Sequence, residues 1–414
     1  MWLTVDYRPR SVDPLLTELL SQLPAILIVG PRATGKTTTA ARHCKTVVHL
    51  DSEVDAAAFR ADPDVALRGL DEPVLLDEWQ AVPEVLGAVK RAVDSDPRAG
   101  RFVLTGSIRA DLEMQTWPGT GRLVRLDMRG LTVAERLARP TVPLADRVLA
   151  GVDLVPSKKS PDVLGYLELA LVSGFPQPAL ALSGRPRELW FESYLDQVVT
   201  RDAPMLLGER RDPERLRRYL RAYALNSAGL VADKTIYDAA NINRRTALAY
   251  EQLLSNLLIT ESVPAWTSNR LKRLGSSPKR YLGDSALLAS AIEVTDPQAI
   301  LRSGDLLGRM IDTFVASQLR AERTWASQRS GMYHLREESG AREVDLIVEA
   351  GGDRVIAIEV KATGSPKAND VRHLSWLREK LGDRFVGGVL LHTGPRSFQI
   401  ADNITAAPIS TLWA

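Results

Sequence analysis

The feature that most constrains the fold is a short apolar run, Ala25–Val29, followed directly by a glycine-rich segment. The residues of that segment are Gly30, Pro31, Arg32, Ala33, Thr34, Gly35, Lys36 and Thr37. They fit the pattern Gly, any four residues, Gly, Lys and Thr, which is typical of a phosphate-binding loop between a strand and a helix. The sequence therefore predicts an α/β layered fold for the first part of the chain.

The residue types of this loop predict its ligand. Glycines allow the backbone N–H groups to surround phosphates, and Lys36 is expected to contact the β- and γ-phosphates. The Thr37 hydroxyl is a predicted Mg²⁺ ligand, and Thr38 at the start of the following helix is a further predicted nucleotide contact. We therefore expect ATP and Mg²⁺ as cofactors of this segment.

A second apolar run, Val74–Leu76, ends in two acids, Asp77 and Glu78. Many strands end in this way, so the pattern alone is weak evidence. The pattern gains weight here because Asp77 comes 40 residues after Thr37, with another predicted strand between them. We expect Asp77 to hold Mg²⁺ through water and Glu78 to polarise the water that attacks the γ-phosphate. The sequence thus predicts ATP hydrolysis.

Two further residues have open alternatives. Thr105 ends the apolar run Phe102–Thr105 and is either a sensor of the γ-phosphate or a cap at the end of a strand. Arg122 is a phosphate-sensing arginine, a finger offered to a neighbouring subunit, or a surface arginine. The second of these roles for Arg122 would require a homo-oligomer.

The organisation of the chain follows from its length and its patterns. A length of 414 residues predicts two to three domains. Five strands of a parallel sheet are predicted at Ala25–Val29, Val47–Asp51, Val74–Asp77, Phe102–Thr105 and Leu123–Leu126. We expect an ATPase domain at residues 1–150, a helical region at 151–300 and a smaller α/β domain at 301–414.

The middle region has the order of elements of a winged helix-turn-helix. Lys234–Ile259 is predicted to form two helices around a short turn, and a strand pair follows. The second helix begins with Arg244 and Arg245, where a recognition helix would meet DNA. Basic residues of the predicted wing, expected to contact phosphates, are Arg270, Lys272, Arg273, Lys279 and Arg280. Winged helices also serve as protein-interaction modules or lids, so a purely structural role remains the alternative.

The last region carries Asp345 on one predicted strand, and Glu359 and Lys361 on the next. Residues two apart on a strand face the same way, so Glu359 and Lys361 share a face. A charged strand edge is the simplest explanation, but apolar residues on both sides of each charge favour central strands. The set Asp345, Glu359 and Lys361, with Asp312 on a preceding helix, resembles the restriction-endonuclease-like nuclease core. That resemblance implies that Asp312, Asp345 and Glu359 bind Mg²⁺ and that Lys361 activates or orients the hydrolytic water.

The whole chain resembles a family of bacterial and archaeal AAA+-type ATPases whose C-terminal half is a domain of unknown function, family 4143. The motifs that carry the resemblance are Leu75-Leu76-Asp77-Glu78-Trp79-Gln80, Leu104-Thr105-Gly106-Ser107, Gly121-Arg122, Ser173-Gly174-Phe175-Pro176, Arg201-Asp202, Pro278-Lys279-Arg280-Tyr281 with Asp284, and Glu343-Val344-Asp345 with Ile358-Glu359-Val360-Lys361. The resemblance implies an AAA+-like P-loop domain, a winged-helix middle region and a restriction-endonuclease-like C-terminal domain. One departure is Asp312, where the family usually has a glutamate.

Several classes of protein are not expected. The single cysteine, Cys44, excludes an internal disulfide framework and a cysteine-based zinc site, and the five histidines lack metal-ligand spacing. No apolar stretch approaches the ~20 residues of a membrane helix, and the first residues do not form a signal peptide. We therefore expect a cytoplasmic protein without a membrane partner. A net charge of +2 does not by itself indicate nucleic-acid binding, which is expected only from the local basic cluster.

These expectations combine into two hypotheses. In the first, ATP hydrolysis drives an enzyme that acts on DNA, with the winged helix holding the DNA and the C-terminal core binding or cleaving it with Mg²⁺. In the second, the chain is an ATP-dependent regulatory switch or protein-interaction module, and its nuclease-like core does not cleave.

Overall fold

The computed structural model describes residues 7–106, 121–139, 141–202, 212–269, 273, 276–337 and 342–414. Ser107, Arg270 and Lys272 lie outside this part of the chain. The chain divides into two compact units. The first comprises the residues up to Leu131 together with Phe175–Gln177 and Asn256–Leu258, and the second comprises the rest. The division into domains at residues 150 and 300 stays a prediction.

The first unit contains a five-stranded parallel sheet with the order β2-β3-β4-β1-β5. Its strands are β1 (Ala25–Val29), β2 (Thr46–His49), β3 (Val74–Asp77), β4 (Phe102–Gly106) and β5 (Val124–Asp127). The predicted parallel α/β sheet is thus confirmed. Strands β1, β3 and β4 are buried along their whole length, which explains why they are continuous apolar runs rather than alternating patterns.

Helices cover both faces of this sheet. They are α1 (Asp13–Gln22), α2 (Lys36–Ala41), α3 (Glu53–Ala61), α4 (Pro63–Leu67) and α5 (Val85–Ser95). Alternate residues of β1 face opposite ways, so Leu27 and Val29 join one core while Ile26 and Ile28 join the other. The loop that follows Val29 therefore starts from a strand that is packed on both faces.

The second unit is largely helical in its first part. Its helices in this part, with α9 shared between the two units, are α6 (Val133–Arg136), α7 (Leu144–Leu149), α8 (Val163–Val172), α9 (Pro176–Leu180), α10 (Gly184–Gln197), α11 (Pro213–Leu225), α12 (Asp233–Ala239) and α13 (Arg244–Asn256). Two short antiparallel strands, β6 (Thr260–Val263) and β7 (Lys279–Leu282), follow. The predicted order of helix, turn, helix and strand pair is present, with a turn of four residues between α12 and α13.

The last part of the second unit contains a six-stranded mixed sheet with the order β12-β13-β11-β10-β9-β8. Three helices come first: α14 (Ser285–Ala291), α15 (Pro297–Arg302) and α16 (Gly304–Glu322). The strands are β8 (Ser330–Arg336), β9 (Glu343–Ala350), β10 (Arg354–Lys361), β11 (Phe385–His392), β12 (Phe398–Ala401) and β13 (Ile404–Pro408), with α17 (Arg372–Leu381) between β10 and β11. Strands β9 and β10 are central, as their apolar residues predict. Within the described residues, no helix is long and apolar enough to cross a membrane.

Candidate nucleotide site and carboxylate cluster

The segment Gly30–Thr37 forms a loop between β1 and α2, and both of its glycines are required by the backbone. A Cβ atom on Gly30 would lie 2.0 Å from the carbonyl oxygen of Met128. Gly35 has φ +87°, a left-handed conformation that side chains other than glycine rarely adopt. The two glycines that define the sequence motif are therefore the residues that let the backbone follow this path.

Polar groups hold the loop from inside. The buried Arg10 donates hydrogen bonds from Nη1 to the carbonyl oxygen of Thr34 (3.1 Å) and from Nη2 to that of Arg129 (2.7 Å). The Thr34 hydroxyl donates to the carbonyl oxygen of Pro31 at 2.8 Å. Arg10 thus ties the loop to the chain that leaves β5. Sequence reasoning missed Arg10, since an isolated arginine ahead of the motif carries no signal.

Lys36 places an ammonium group against the loop. Its Nζ donates to the carbonyl oxygen of Pro31 at 2.8 Å, and the residue is 5% exposed. Burial lowers the pKa of Lys36 to about 8, although the nearby charges of Glu78 and Asp77 oppose that shift. A phosphate bound in this loop would meet a lysine whose positive charge is at present poorly solvated.

Asp77 is the centre of a polar cluster at the carboxyl ends of neighbouring strands. Its Oδ1 accepts hydrogen bonds from the hydroxyls of Thr37 (2.8 Å) and Thr105. Its Oδ2 lies 3.1 Å from Nδ1 of His49. Strand register explains the cluster: His49 pairs with Asp77 across β2 and β3, and Thr105 follows Leu104, which pairs with Leu76, on β4. His49 was missed, although it lies within the predicted strand Val47–Asp51; the structure ends this strand, β2, at His49.

Glu78 begins the turn that leaves β3. Its backbone adopts a left-handed conformation with φ 51°, and its N–H donates to the Thr105 hydroxyl at 3.3 Å. Its carboxylate accepts a hydrogen bond from the amide of Gln80. The Thr105 hydroxyl therefore contacts the carboxylate of Asp77 and the backbone of Glu78; a role as a sensor of the γ-phosphate stays a prediction.

Arg122 lies near the amino-terminal ends of the strands of this sheet, whereas the loop and Asp77 lie at their carboxyl ends. It precedes β5, whose Val124 pairs with Ile26 near the start of β1, whereas the loop leaves the end of β1. At ~3.3 Å per residue this separation is roughly 20 Å, further than an arginine side chain extends. Its Nε donates instead to Asp94 at the end of α5 (2.7 Å). Phosphate sensing by Arg122 within its own chain is therefore not supported; a role toward a neighbouring subunit stays a prediction.

A second cluster contains Asp312 on α16 and Asp345 on β9. They are joined by Lys279, which the sequence predicts to lie in the wing of the middle region. Nζ of Lys279 donates to Asp312 Oδ2 (2.7 Å) and to Asp345 Oδ1 (2.9 Å). The remaining oxygens accept from the Tyr281 hydroxyl (3.0 Å, to Asp312) and from the Val360 N–H (3.0 Å, to Asp345). Each oxygen of the two acids thus already has a partner.

Glu359 and Lys361 form a neighbouring ion pair with a distance of 2.7 Å. Burial, assisted by the charge of Asp345, raises the pKa of Glu359 to about 8. The second oxygen of Glu359 has no hydrogen bond in the part of the chain that the structure describes. Among these described residues there is no group of three or more His, Cys, Asp or Glu side chains that could hold a metal ion. The expected Mg²⁺ site of Asp312, Asp345 and Glu359 is therefore not formed, because an ammonium lies between two of its members.

The basic residues of the predicted wing are also placed differently from expectation. Lys279 and Arg280 are buried, and Arg280 pairs with Asp233. Arg273 is buried too, and its guanidinium lies 2.7 Å from Glu349. These three side chains point inward, since both faces of β7 are covered, and they cannot act as surface phosphate contacts.

Arg244 and Arg245, in contrast, are exposed at the first turn of α13. Asn243 caps this turn, because its side-chain oxygen accepts a hydrogen bond from the N–H of Thr246 at 2.9 Å. The predicted recognition helix therefore starts where the sequence places it, with its two arginines in solvent.

Comparisons with known proteins divide the chain into three matched segments. Residues 22–137 match the model of an AAA domain, 164–298 a domain of unknown function (DUF8612) and 307–412 a domain of unknown function (DUF4143). The AAA segment contains the loop, Asp77, Glu78 and Thr105. These matches support a P-loop ATPase domain followed by a DUF4143 domain, as the resemblance implies.

Two curated relatives are similar along most of their length. They are uncharacterized proteins of Mycobacterium bovis (Mb2031c) and Mycobacterium tuberculosis (Rv2008c), each 27% identical over 404 residues, which are 96% of this chain and 83% of the relative. Among solved structures, the Walker-type ATPase paby2304 of Pyrococcus abyssi is 15% identical with a TM-score of 0.45, covering 70% of this chain and 97% of that one.

Proposed function

We propose that this chain binds ATP with Mg²⁺ at the loop Gly30–Thr37 and hydrolyses it, and that hydrolysis controls nucleic-acid binding by the middle region. One observation carries the ATPase part. Thr37, Asp77 and Thr105 come from three separate elements and meet through hydrogen bonds beside the buried ammonium of Lys36. The donor set fits a magnesium nucleotide: one hydroxyl, one carboxylate and one lysine at a loop with glycines at both ends.

Each residue then has a defined task. Bound Mg²⁺ would neutralise charge on the β- and γ-phosphates, and Thr37 and Asp77 are the residues that would hold it. Lys36 would exchange its bond to the Pro31 carbonyl for a contact with phosphate oxygens. Glu78 would accept a proton from the attacking water, and Thr105 would keep both acids in place.

The test is a phosphate-release assay combined with nucleotide binding. We expect Lys36→Ala to abolish nucleotide binding, and Glu78→Gln to bind ATP but hydrolyse it at least ~100-fold more slowly, because the base is lost. Lys90→Ala removes an exposed lysine that pairs with Asp94 and serves as the matched control with normal turnover. Normal hydrolysis by the Glu78 variant would show that another group is the base.

The nucleic-acid part rests on the order of elements from α11 to β7 and on two arginines. Arg244 and Arg245 are exposed at the first turn of α13, and neither makes a side-chain hydrogen bond or ion pair within the described residues. The arginines of α11 differ, since Arg217 and Arg221 are engaged with Glu214 and Glu293. A winged helix-turn-helix that presents α13 to DNA is the arrangement we favour.

Fluorescence anisotropy with labelled duplex, single-stranded and branched DNA tests this part. The double variant Arg244→Ala/Arg245→Ala should weaken binding, and the slope of log affinity against log salt should fall by about two, one for each lost phosphate contact. Arg217→Ala/Arg221→Ala removes the same charge from paired arginines and should bind as wild type. Equal losses in both variants would indicate a general charge effect and count against α13 as the DNA-contacting helix.

The alternative function, a regulatory switch with a nuclease-like domain that does not cleave, is favoured by the contacts of Lys279. The same DNA substrates with Mg²⁺ or Mn²⁺ separate the two candidates. Cleavage by wild type that is lost in Lys361→Ala would favour a nuclease, whereas no cleavage together with an ATP-dependent change of oligomeric mass would favour the switch. A homo-oligomer that forms with ATP would also give Arg122 its predicted role.

A further inference from the structure

A buried positive charge from β7 lies against the C-terminal sheet, at the place where the nuclease resemblance implies a metal ion. Asp312 and Asp345 approach each other from α16 and β9, and both are largely removed from water. Two carboxylates in such a position need a cation, because buried charges without a partner strongly destabilise the folded state. Lys279 supplies that cation, and it is 1% exposed.

We propose that Lys279 permanently replaces the divalent ion, so that the C-terminal sheet of this chain works without metal and does not cleave nucleic acid. The proposal rests on the nuclease-like resemblance alone and not on the ATPase site. It adds to the alternative function, the regulatory switch, because it gives the physical reason why the nuclease-like domain would not cleave nucleic acid.

The geometry leaves no room for both cations. Mg²⁺ binds carboxylate oxygens at about 2.1 Å, so an ion bridging Asp312 Oδ2 and Asp345 Oδ1 would occupy the space of the ammonium. The ammonium contacts these same two atoms at 2.7 and 2.9 Å. The other oxygens accept from Tyr281 and Val360, and Glu359 has only one oxygen without a partner.

Lys279 is also prevented from leaving. It lies on β7, where it pairs with Val263 of β6, and its side chain is enclosed on every side. The ammonium is 5.6 Å from the centre of the Tyr281 ring, which adds a cation–π contact to the two ion pairs. A mobile surface lysine could yield to a metal ion, but this one joins the β6–β7 pair to α16 and β9.

Manganese binding to the nucleotide-free full-length protein tests the proposal. We expect wild type and Asp345→Asn to bind the same number of Mn²⁺ ions in calorimetry, since Asp345 is not a ligand. Lys279→Met should gain one Mn²⁺ site, and millimolar Mn²⁺ should raise its Tm by about 3 °C or more, because binding stabilises the folded state. Both gains should disappear in Lys279→Met/Asp345→Asn.

The comparison of wild type with Asp345→Asn and the comparison of Lys279→Met with its double variant test the proposal independently. If Lys279→Met does not fold even with Mn²⁺, the comparison of wild type with Asp345→Asn still decides the question. A Mn²⁺ site in wild type that is lost in Asp345→Asn, or Mn²⁺-dependent DNA cleavage lost in the same variant, would overturn the proposal. So would a folded Lys279→Met protein that gains no metal. ATP hydrolysis by wild type and by Lys36→Ala is measured in the same preparations, so failure here is distinguishable from failure of the ATPase proposal.

Discussion

The affinity of the loop for nucleotide should depend on pH because of Lys36. Burial lowers the pKa of its ammonium to about 8, so this group loses its proton within an accessible pH range. Bound phosphates favour the charged form, and only the protonated free protein is ready to bind. Raising the pH from 7.5 to 9.5 should therefore weaken nucleotide binding.

The magnitude follows from the fraction of the free protein that carries the proton. With a pKa of about 8, that fraction is about three quarters at pH 7.5 and about 3% at pH 9.5, so the Kd should increase about 25-fold. The phosphates contribute little to this change, since a phosphate with a second pKa near ~6 is ionised throughout the range. Two groups next to α2 also remain unchanged: Cys44, which follows the helix, and Tyr7, whose hydroxyl lies 3.4 Å from that of Thr39, have pKa values raised to about 12 by burial and stay neutral.

The assay is titration of a fluorescent ADP analogue, without hydrolysis, at half-unit steps of pH. Lys36→Arg keeps its charge throughout, so its Kd should change little between pH 7.5 and 9.5. Lys90→Ala should show the same 25-fold or so increase as wild type, because the exposed lysine is not involved. A constant Kd in wild type, or an equal increase in Lys36→Arg, would refute the assignment of the pH dependence to this ammonium.

Three further predictions concern stability. Gly30→Ala should lower the free energy of unfolding by about 2 kcal/mol or more in urea titrations and impair nucleotide binding, because the new Cβ would meet the Met128 carbonyl oxygen; unchanged values would contradict the close approach. Asp284→Ala should cost about 1–2 kcal/mol, since it removes the N-cap of α14 and the acceptor of the Ser173 hydroxyl at 2.8 Å; Ser173→Ala should lose only part of this. Burial raises the pKa of Glu322 to about 7, so the folded state holds this proton more tightly than the unfolded state, and stability should fall as pH rises from about 4.5 to 7. Glu322→Gln should remove that fall and raise Tm at pH 8. If the stability of wild type and of Glu322→Gln depends on pH in the same way, the assignment to Glu322 is wrong.

The geometry of the candidate nucleotide site was largely predictable because its signals are local. The loop, Asp77 and Thr105 each follow an apolar run directly, and parallel strands bring their carboxyl ends to one edge of a sheet. His49 obeys the same rule and could have been added. Arg10 could not, because it reaches the Thr34 carbonyl from a position 24 residues earlier, and no periodicity or motif marks it.

The basic strand β7 shows where such reasoning fails. A loop rich in arginine and lysine predicts a solvent-exposed wing, yet all four residues of β7 are buried. Which face of a short strand is covered depends on elements distant in the chain, here α16 and β9. The same is true of Arg122, whose position opposite the loop follows only from the register of β5 against β1.

The sequence by itself thus determined the parallel α/β sheet, the loop Gly30–Thr37 and the pair of acids at the end of β3, because each depends on residues adjacent in the chain. Only the tertiary structure decided what neutralises the acids of the second cluster. Asp312, Asp345 and Lys279 come from three segments far apart in sequence. The packing of these segments places the ammonium of Lys279 between the two carboxylates, and no local pattern in the sequence predicts that.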